Sequence, residues 1–277
     1  MANIIFYPYH ATTNGDLIDG DIDVAASGAT GFSSNNLLDR SRWTQWKANA
    51  ASTNYTFRFD LNSTTRTVNY VIIAGHDVVT QLTNSPNLVV KHDDNAQFSS
   101  PTTVVNGVTI DAEPHQLFTF SAPATTERHW RIDLKNSPSS GKPSLGSIFL
   151  GEKITSTTFQ DLGDAIGQTY SSTITESPTG RFSSKLNRKP RNVWNLQYRF
   201  MSETFRTNLQ RVLTLTRGSH YPLFMSDDEG NLFFVRLFPP YQNYTPTRTS
   251  HQIYEQELTI VQEDFVDFAD GDGIAVR

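Results

Sequence analysis

Asn35–Ala48 reads NNLLDRSRWTQWKA. It sets Trp43 and Trp46 three residues apart, beside Asp39, Arg40 and Arg42. An aromatic ring covers the apolar face of a sugar while a carboxylate and a guanidinium bind its hydroxyls, so Trp43, Asp39 and Arg42 form a candidate ligand site. The alternative is structural, because an aromatic residue that opens a strand mostly supplies buried area. Trp46, at the start of the run WKA, is the ring expected in the core. Trp43 is the one left for a ligand.

Downstream of this stretch the chain alternates. In YTFRFDL, residues Tyr55, Phe57, Phe59 and Leu61 fall on one side of a strand. Further short runs follow at about ten-residue spacing, among them TVNYVIIAG, NLVVKH, TTVV, HQLFTFSA, RHWRIDL and GSIFLGE. Asn, Ser, Pro and Gly separate them. This pattern indicates an antiparallel sandwich or barrel with no helix of three turns. Residues 3–9, NIIFYPY, read as another strand, which Pro8 pushes towards an edge because it lacks an N–H.

The character changes between Lys153 and Asp164, which divides the chain into a first domain over 1–153 and a second over 154–277. In the second, 169–176 and 193–200 read as strands separated by the basic segment GRFSSKLNRKPR. Ser202 can cap a helix to about residue 217, with Phe205, Leu209, Val212 and Leu213 forming one apolar stripe. Glu203 falls in its first turn, Arg217 in its last, and Gly218 marks the stop. HYPLFMS and NLFFVRLF form a hairpin around DDEG, and QIYEQELTIVQE gives a final long strand. The end, DFVDFADGDGIAVR, reads as an acidic arm.

Composition narrows the function classes. Hydrophobic residues make up 37% and charged residues 18% of 277, with a formal net charge of -5. Residues 1–154 hold 11 basic and 14 acidic groups, leaving 12 and 14 for 155–277, so neither half is a polycation built for nucleic-acid phosphates. The chain has no cysteine, which excludes disulfides, thiolate metal sites and a cysteine nucleophile. The N-terminus does not read as a secretory signal, and no apolar run is long enough to span a bilayer. Synthesis in a cytoplasm is the expectation.

No motif calls for a cofactor. The seven histidines are scattered without zinc spacing, and there is no nucleophile elbow or phosphate loop. Asp16, Asp19, Asp21 and Asp23 make a weak Ca²⁺ candidate, although Asp-Gly pairs are ordinary turn chemistry. ADGDG repeats the theme at Asp270 and Asp272. His76, in AGHD, is expected to be structural. Arg181, Lys185, Arg188, Lys189 and Arg191 carry no neighbouring acid, which makes them a candidate oligomer interface, pairing with an acidic neighbour such as the DFVDFADGD tail of an adjacent subunit, a contact for DNA passing through a ring, or a solvated loop.

The N-terminal half resembles the discoidin, or coagulation-factor type C, family of galactose-binding-like β-sandwiches. The resemblance is carried by NLLD with TQWKA, YTFRFDLNSTTRTVNYVIIAGHD, RHWRIDL and SLGSIFLGE. It implies a jelly-roll sandwich with Trp46 inside and a glycan, lipid head group or protein bound by variable loops at one end. The C-terminal half is similar to tail-tube, distal-tail and baseplate-ring subunits of long-tailed bacteriophages. That similarity rests on VWNLQYRFMSETFRTNLQRVLTLTRGSHYPLFM, NLFFVRL and YEQELTIVQE. It implies edge-to-edge assembly into a ring.

The expected protein is therefore mainly β and non-enzymatic. It would be a virion component of a tail tip or baseplate, assembled in the host cytoplasm as a hexameric or trimeric ring. Its expected partners are tail tube, tail hub and fibres, together with host glycan, and no membrane. The competing expectation is a stand-alone carbohydrate-binding adhesion module.

Overall fold

The computed structural model of the protein describes residues 4–9, 23–24, 29–32, 34–37, 44–52, 54–61, 67–81, 87–123, 127–135, 141–156, 165–176, 182–227, 229–238, 247–250 and 253–263. The fold is mainly β. Among the described residues it divides into two compact units, one within 7–154 and the other within 4–6 and 155–263.

Strand β1 (Ile5–Tyr7) opens the chain, followed by β2 (Asp23–Val24) and β3 (Trp46–Lys47). Next come β4 (Asn54–Asp60), β5 (Tyr70–Ala74), the single helical turn α1 (Val78–Gln81), β6 (Asn87–Asp93) and β7 (Thr102–Thr109). The strands β8 (His115–Thr119), β9 (His129–Lys135), β10 (Ser144–Leu145), β11 (Ser147–Gly151) and β12 (Ile154–Thr155) complete this part.

In the first unit a five-stranded sheet runs in the order β2-β4-β9-β6-β7, and a three-stranded sheet runs β11-β5-β8. β4 pairs antiparallel with β9 so that Tyr55, Phe57 and Phe59 lie opposite Leu134, Ile132 and Trp130. All six are buried, as period-two alternation requires of a sheet with one face in the core. Trp46 is fully buried and meets Tyr55 and Phe57 edge-on, with ring centroids 6.0 and 5.0 Å away. Every residue of β5 is buried, because its second face is also covered. Tyr7 packs on Tyr70 at 4.9 Å, and the Tyr70 hydroxyl accepts from Tyr9 N at 2.9 Å.

The second unit adds β13 (Ala165–Glu176), β14 (Phe182–Met201), α2 (Glu203–Thr216), β15 (Leu223–Ser226), β16 (Leu232–Leu237), β17 (Thr247–Ser250) and β18 (Ile253–Gln262). The sheet order is β12-β1-β15-β16-β18-β14-β13, with β17 also on β18. β1 is thus an interior strand rather than an edge. Pro8 lies just past its last residue, where a missing N–H breaks no ladder.

α2 follows its sequence signals. Ser202 accepts from Phe205 N at 3.2 Å, and Phe205, Leu209, Val212 and Leu213 are buried. Phe205 meets Tyr198 of β14 at 5.1 Å. Arg217 lies one residue past the helix, in the left-handed region at φ 49, so it closes the C-terminus with its backbone rather than occupying the last turn.

The basic segment corrects the sequence reading. It is no loop: β14 runs unbroken through Lys185, Arg188, Lys189 and Arg191, with Lys185 opposite Thr173, Arg188 opposite Ser171 and Arg191 opposite Thr169. Lys, Asn and Pro have low strand preference, and pairing with β13 overrides it. Arg181 lies outside the described residues.

Candidate functional site

One end of the sandwich gathers polar groups from four segments. Gly75 follows β5 with φ 61, a conformation that favours glycine. Its N–H faces the Pro114 carbonyl at 2.7 Å and His115 Nδ1 at 3.2 Å. Gly146 N donates to the Ala74 and Gly75 carbonyls, each at 3.0 Å. Asp77 then holds two neighbours at once. Its carboxylate accepts from Ser144 N at 2.6 Å, and its carbonyl accepts from Thr80 N and Gln81 N to start α1.

β10, fixed in this way, carries the strand that follows the candidate sugar loop. Ser144 pairs with Lys47 and Leu145 with Trp46. The neck of the loop is closed by Asn36, whose side chain donates to the Gln45 carbonyl at 2.6 Å. A neighbouring turn returns through Ala29 N to the Lys47 carbonyl at 2.9 Å and presents Phe32, which is 41% exposed. Asp39, Arg42 and Trp43 lie outside the described residues, between these two fixed ends.

Gly141 completes this end. A Cβ there would lie 1.7 Å from the Gln81 carbonyl oxygen, so only glycine permits the approach of α1. The Tyr55 hydroxyl donates to the Gly141 carbonyl at 3.2 Å and accepts from Ser52 N at 2.9 Å.

The electrostatics favour neutral imidazoles. Burial lowers the pKa of His76 to about 4, against the opposing pull of Asp111. Burial, followed by the neighbouring His76, lowers that of His115 to about 3. His76 is 8% exposed, and neither of its ring nitrogens has a hydrogen-bond partner among the described residues. A neutral imidazole offers one donor and one acceptor, the complement of a hydroxyl group. Asp77 has its pKa raised by burial, with the Ser144 N–H and Lys47 opposing.

The structure therefore sets His76 beside His115 and ties Asp77 to Ser144, which pairs with Lys47 on the C-terminal flank of residues 38–43. Of these, sequence reading singled out only His76. His115 and Ser144 carry no local signal, because their relevance arises from strand pairing. The calcium candidates do not form a described cluster: Asp23 lies in β2 opposite Arg58, while Asp16, Asp19 and Asp21, like Asp270 and Asp272, lie outside the described residues. No described group of three or more His, Asp or Glu side chains could hold a metal. No described helix is long and apolar enough to cross a membrane.

No family model matches the sequence, and no curated protein matches it. Several solved structures are similar to about half of the chain. A chitosan-binding module from a chitosanase/glucanase of Paenibacillus sp. IK-5 shares 19% identity over 49% of this chain and 96% of its own, with a TM-score of 0.40. A family 32 carbohydrate-binding module of Clostridium perfringens in complex with galactose shares 12% identity over 54% of this chain and 99% of its own, at a TM-score of 0.39. A Ruminococcus gnavus fucosidase in complex with fucose shares 18% identity at a TM-score of 0.41, and there the match covers 53% of this chain and 27% of the enzyme.

Proposed function

We propose that the protein binds carbohydrate through one end of its sandwich, without catalysis. The observation that carries this reading is the anchored loop. Residues 38–43 hold a ring, a carboxylate and a guanidinium in Trp43, Asp39 and Arg42, and both flanks are tied to the rigid sandwich by the Asn36–Gln45 bond and the Trp46–Leu145 pairing. Anchoring limits the conformational entropy lost when a ligand orders the loop.

Calorimetry against a panel of neutral, amino and acidic oligosaccharides tests the reading. Trp43→Ala should weaken binding by tenfold or more with an unchanged melting temperature. An intact affinity in that variant, or no binding to any member of the panel by the native protein, overturns it.

A second reading concerns the other unit. Its sheet ends in β13, and much of β14 extends past β18. Open edges of this kind suit copy-to-copy assembly. In this reading the protein is a ring subunit of a phage tail tip or baseplate that displays the sandwich. Electron images of the purified protein test it: six-fold or three-fold particles are expected, and a monomer at all concentrations overturns it.

A further inference from the structure

The turn ahead of the candidate sugar loop is clasped onto β3. Ala29 N donates to the Lys47 carbonyl at 2.9 Å, Lys47 N donates to the Phe32 carbonyl at 3.3 Å, and Phe32 N closes the turn on the Ala29 carbonyl at 2.8 Å. Gly31 supplies the left-handed φ of 84. The Asn36 side chain donates to the Gly31 carbonyl at 3.4 Å and to the Gln45 carbonyl at 2.6 Å, so one amide ties this turn to the C-terminal flank of residues 38–43. On this fixed backbone the Phe32 ring is 41% exposed.

β3 and the chain entering β10 carry charge beside that ring. Ser144 pairs with Lys47, and Ala48 N continues the ladder to the Pro143 carbonyl at 2.9 Å, which sets Lys142 opposite Asn49. Period-two alternation then places Lys47, Asn49 and Lys142 on one face and Trp46, Ala48, Pro143 and Leu145 on the other. Burial agrees, since the first three are exposed and the last four are buried. Lys47 and Lys142 are diagonal neighbours on the solvent face, about 7–8 Å apart at the backbone, so their long side chains can converge on one anion. Lys47 also acts on Asp77, but that carboxylate already accepts from Ser144 N at 2.6 Å. Residues 29–49 hold three bases, Arg40, Arg42 and Lys47, against one acid, Asp39, a local net of +2 in a chain whose net charge is -5.

We infer that Phe32, Lys47 and Lys142 form a subsite for an acidic sugar unit. The Phe32 ring covers the apolar face of the pyranose, and the two ammonium groups take its carboxylate. The subsite rests on the carbohydrate-binding reading above and names its ligand class, an oligosaccharide that carries carboxylates.

Calorimetry of the full chain against trigalacturonate and its uncharged methyl ester tests this at about 0.05 M and about 0.5 M salt, between which the screening length differs about threefold. The acid should bind about tenfold more tightly than the ester at low salt, with a smaller ratio at high salt. K47Q/K142Q should bring the ratio to about one. Phe32→Ala should weaken both ligands about fivefold, and both variants should keep the native melting temperature. Equal native affinities, no native affinity for the acid, a ratio that survives K47Q/K142Q, or unchanged affinities in Phe32→Ala each overturn the subsite, and binding of another oligosaccharide of the panel then leaves the carbohydrate reading intact. No binding to any oligosaccharide overturns both. If K47Q/K142Q keeps the ratio but loses binding to phosphatidylserine vesicles, the face serves a lipid head group and the sugar subsite is overturned.

Discussion

The Asp77 carboxylate accepts a hydrogen bond of 2.6 Å from the backbone N–H of Ser144, 67 positions away. That bond joins the end of β5 to β10, and β10 in turn holds β3, the strand that follows the candidate sugar loop in the chain. Asp77→Ala leaves the N–H of the buried Ser144 without its acceptor, and the expected loss is about 1–3 kcal/mol by chemical denaturation. Asp77→Asn retains an acceptor oxygen and should recover most of the stability and the glycan affinity. Equal losses in both variants would show that charge, not the hydrogen bond, matters at this position.

The buried His76 and the half-buried His115 set the acid stability. In the unfolded chain an imidazole titrates near 6.5, while the folded values are about 4 for His76 and about 3 for His115. A lowered folded value means that the unfolded chain takes up protons first. Stability should be intact above pH ~6.5 and fall as pH drops towards 4, with His115 extending the loss towards 3. For His76 the gap corresponds to roughly 3 kcal/mol. Asp111 acts on His76, while His76, the Pro114 carbonyl and the Gly75 N–H act on His115. Melting curves of His76→Gln should show a shallower pH dependence across this window, and an identical slope would exclude His76 as its source.

Gly141 is required by a close approach. Gly141→Ala would place a methyl group 1.7 Å from the backbone oxygen of Gln81, and backbone cannot yield as a side-chain tip can. A loss of about 1–3 kcal/mol is expected. Gly167→Ala, where a Cβ meets nothing within 4 Å, is the matched control and should be close to neutral. Similar melting temperatures for the two variants would refute the packing at α1.

Phe200 carries backbone strain at the bulge in β14. It has φ 59 and is 71% exposed. A bulky residue in the left-handed region costs about 1 kcal/mol or more, and its exposed ring offers little burial in return. Phe200→Gly should raise stability by about 0.5–1 kcal/mol after the greater chain entropy of glycine is counted. A lower melting temperature would mean that the ring makes a stabilising contact, such as one between copies.

Much of the fold was legible because its signals are local. The alternation of Tyr55, Phe57, Phe59 and Leu61 specifies a strand with one buried face, and all four are buried. Ser202 and the stripe from Phe205 to Leu213 specify a capped amphipathic helix, which is α2. The basic stretch from Lys185 to Arg191 was not legible as a strand, because its residue types favour exposed loops. Only hydrogen bonding to β13 makes it one.

The candidate site divides along the same line. The chemical groups of Asp39, Arg42 and Trp43 are visible in one short stretch, as is the core assignment of Trp46. By itself the sequence determined the β class, the helix and the inventory of groups that could meet a sugar, since these depend on spacing within a few residues. Tertiary structure alone decided that Asp77 meets Ser144, that His76 lies beside His115, and that half of β14 stands beyond β18. Those relations join residues tens of positions apart, and only strand pairing brings such residues within hydrogen-bonding distance.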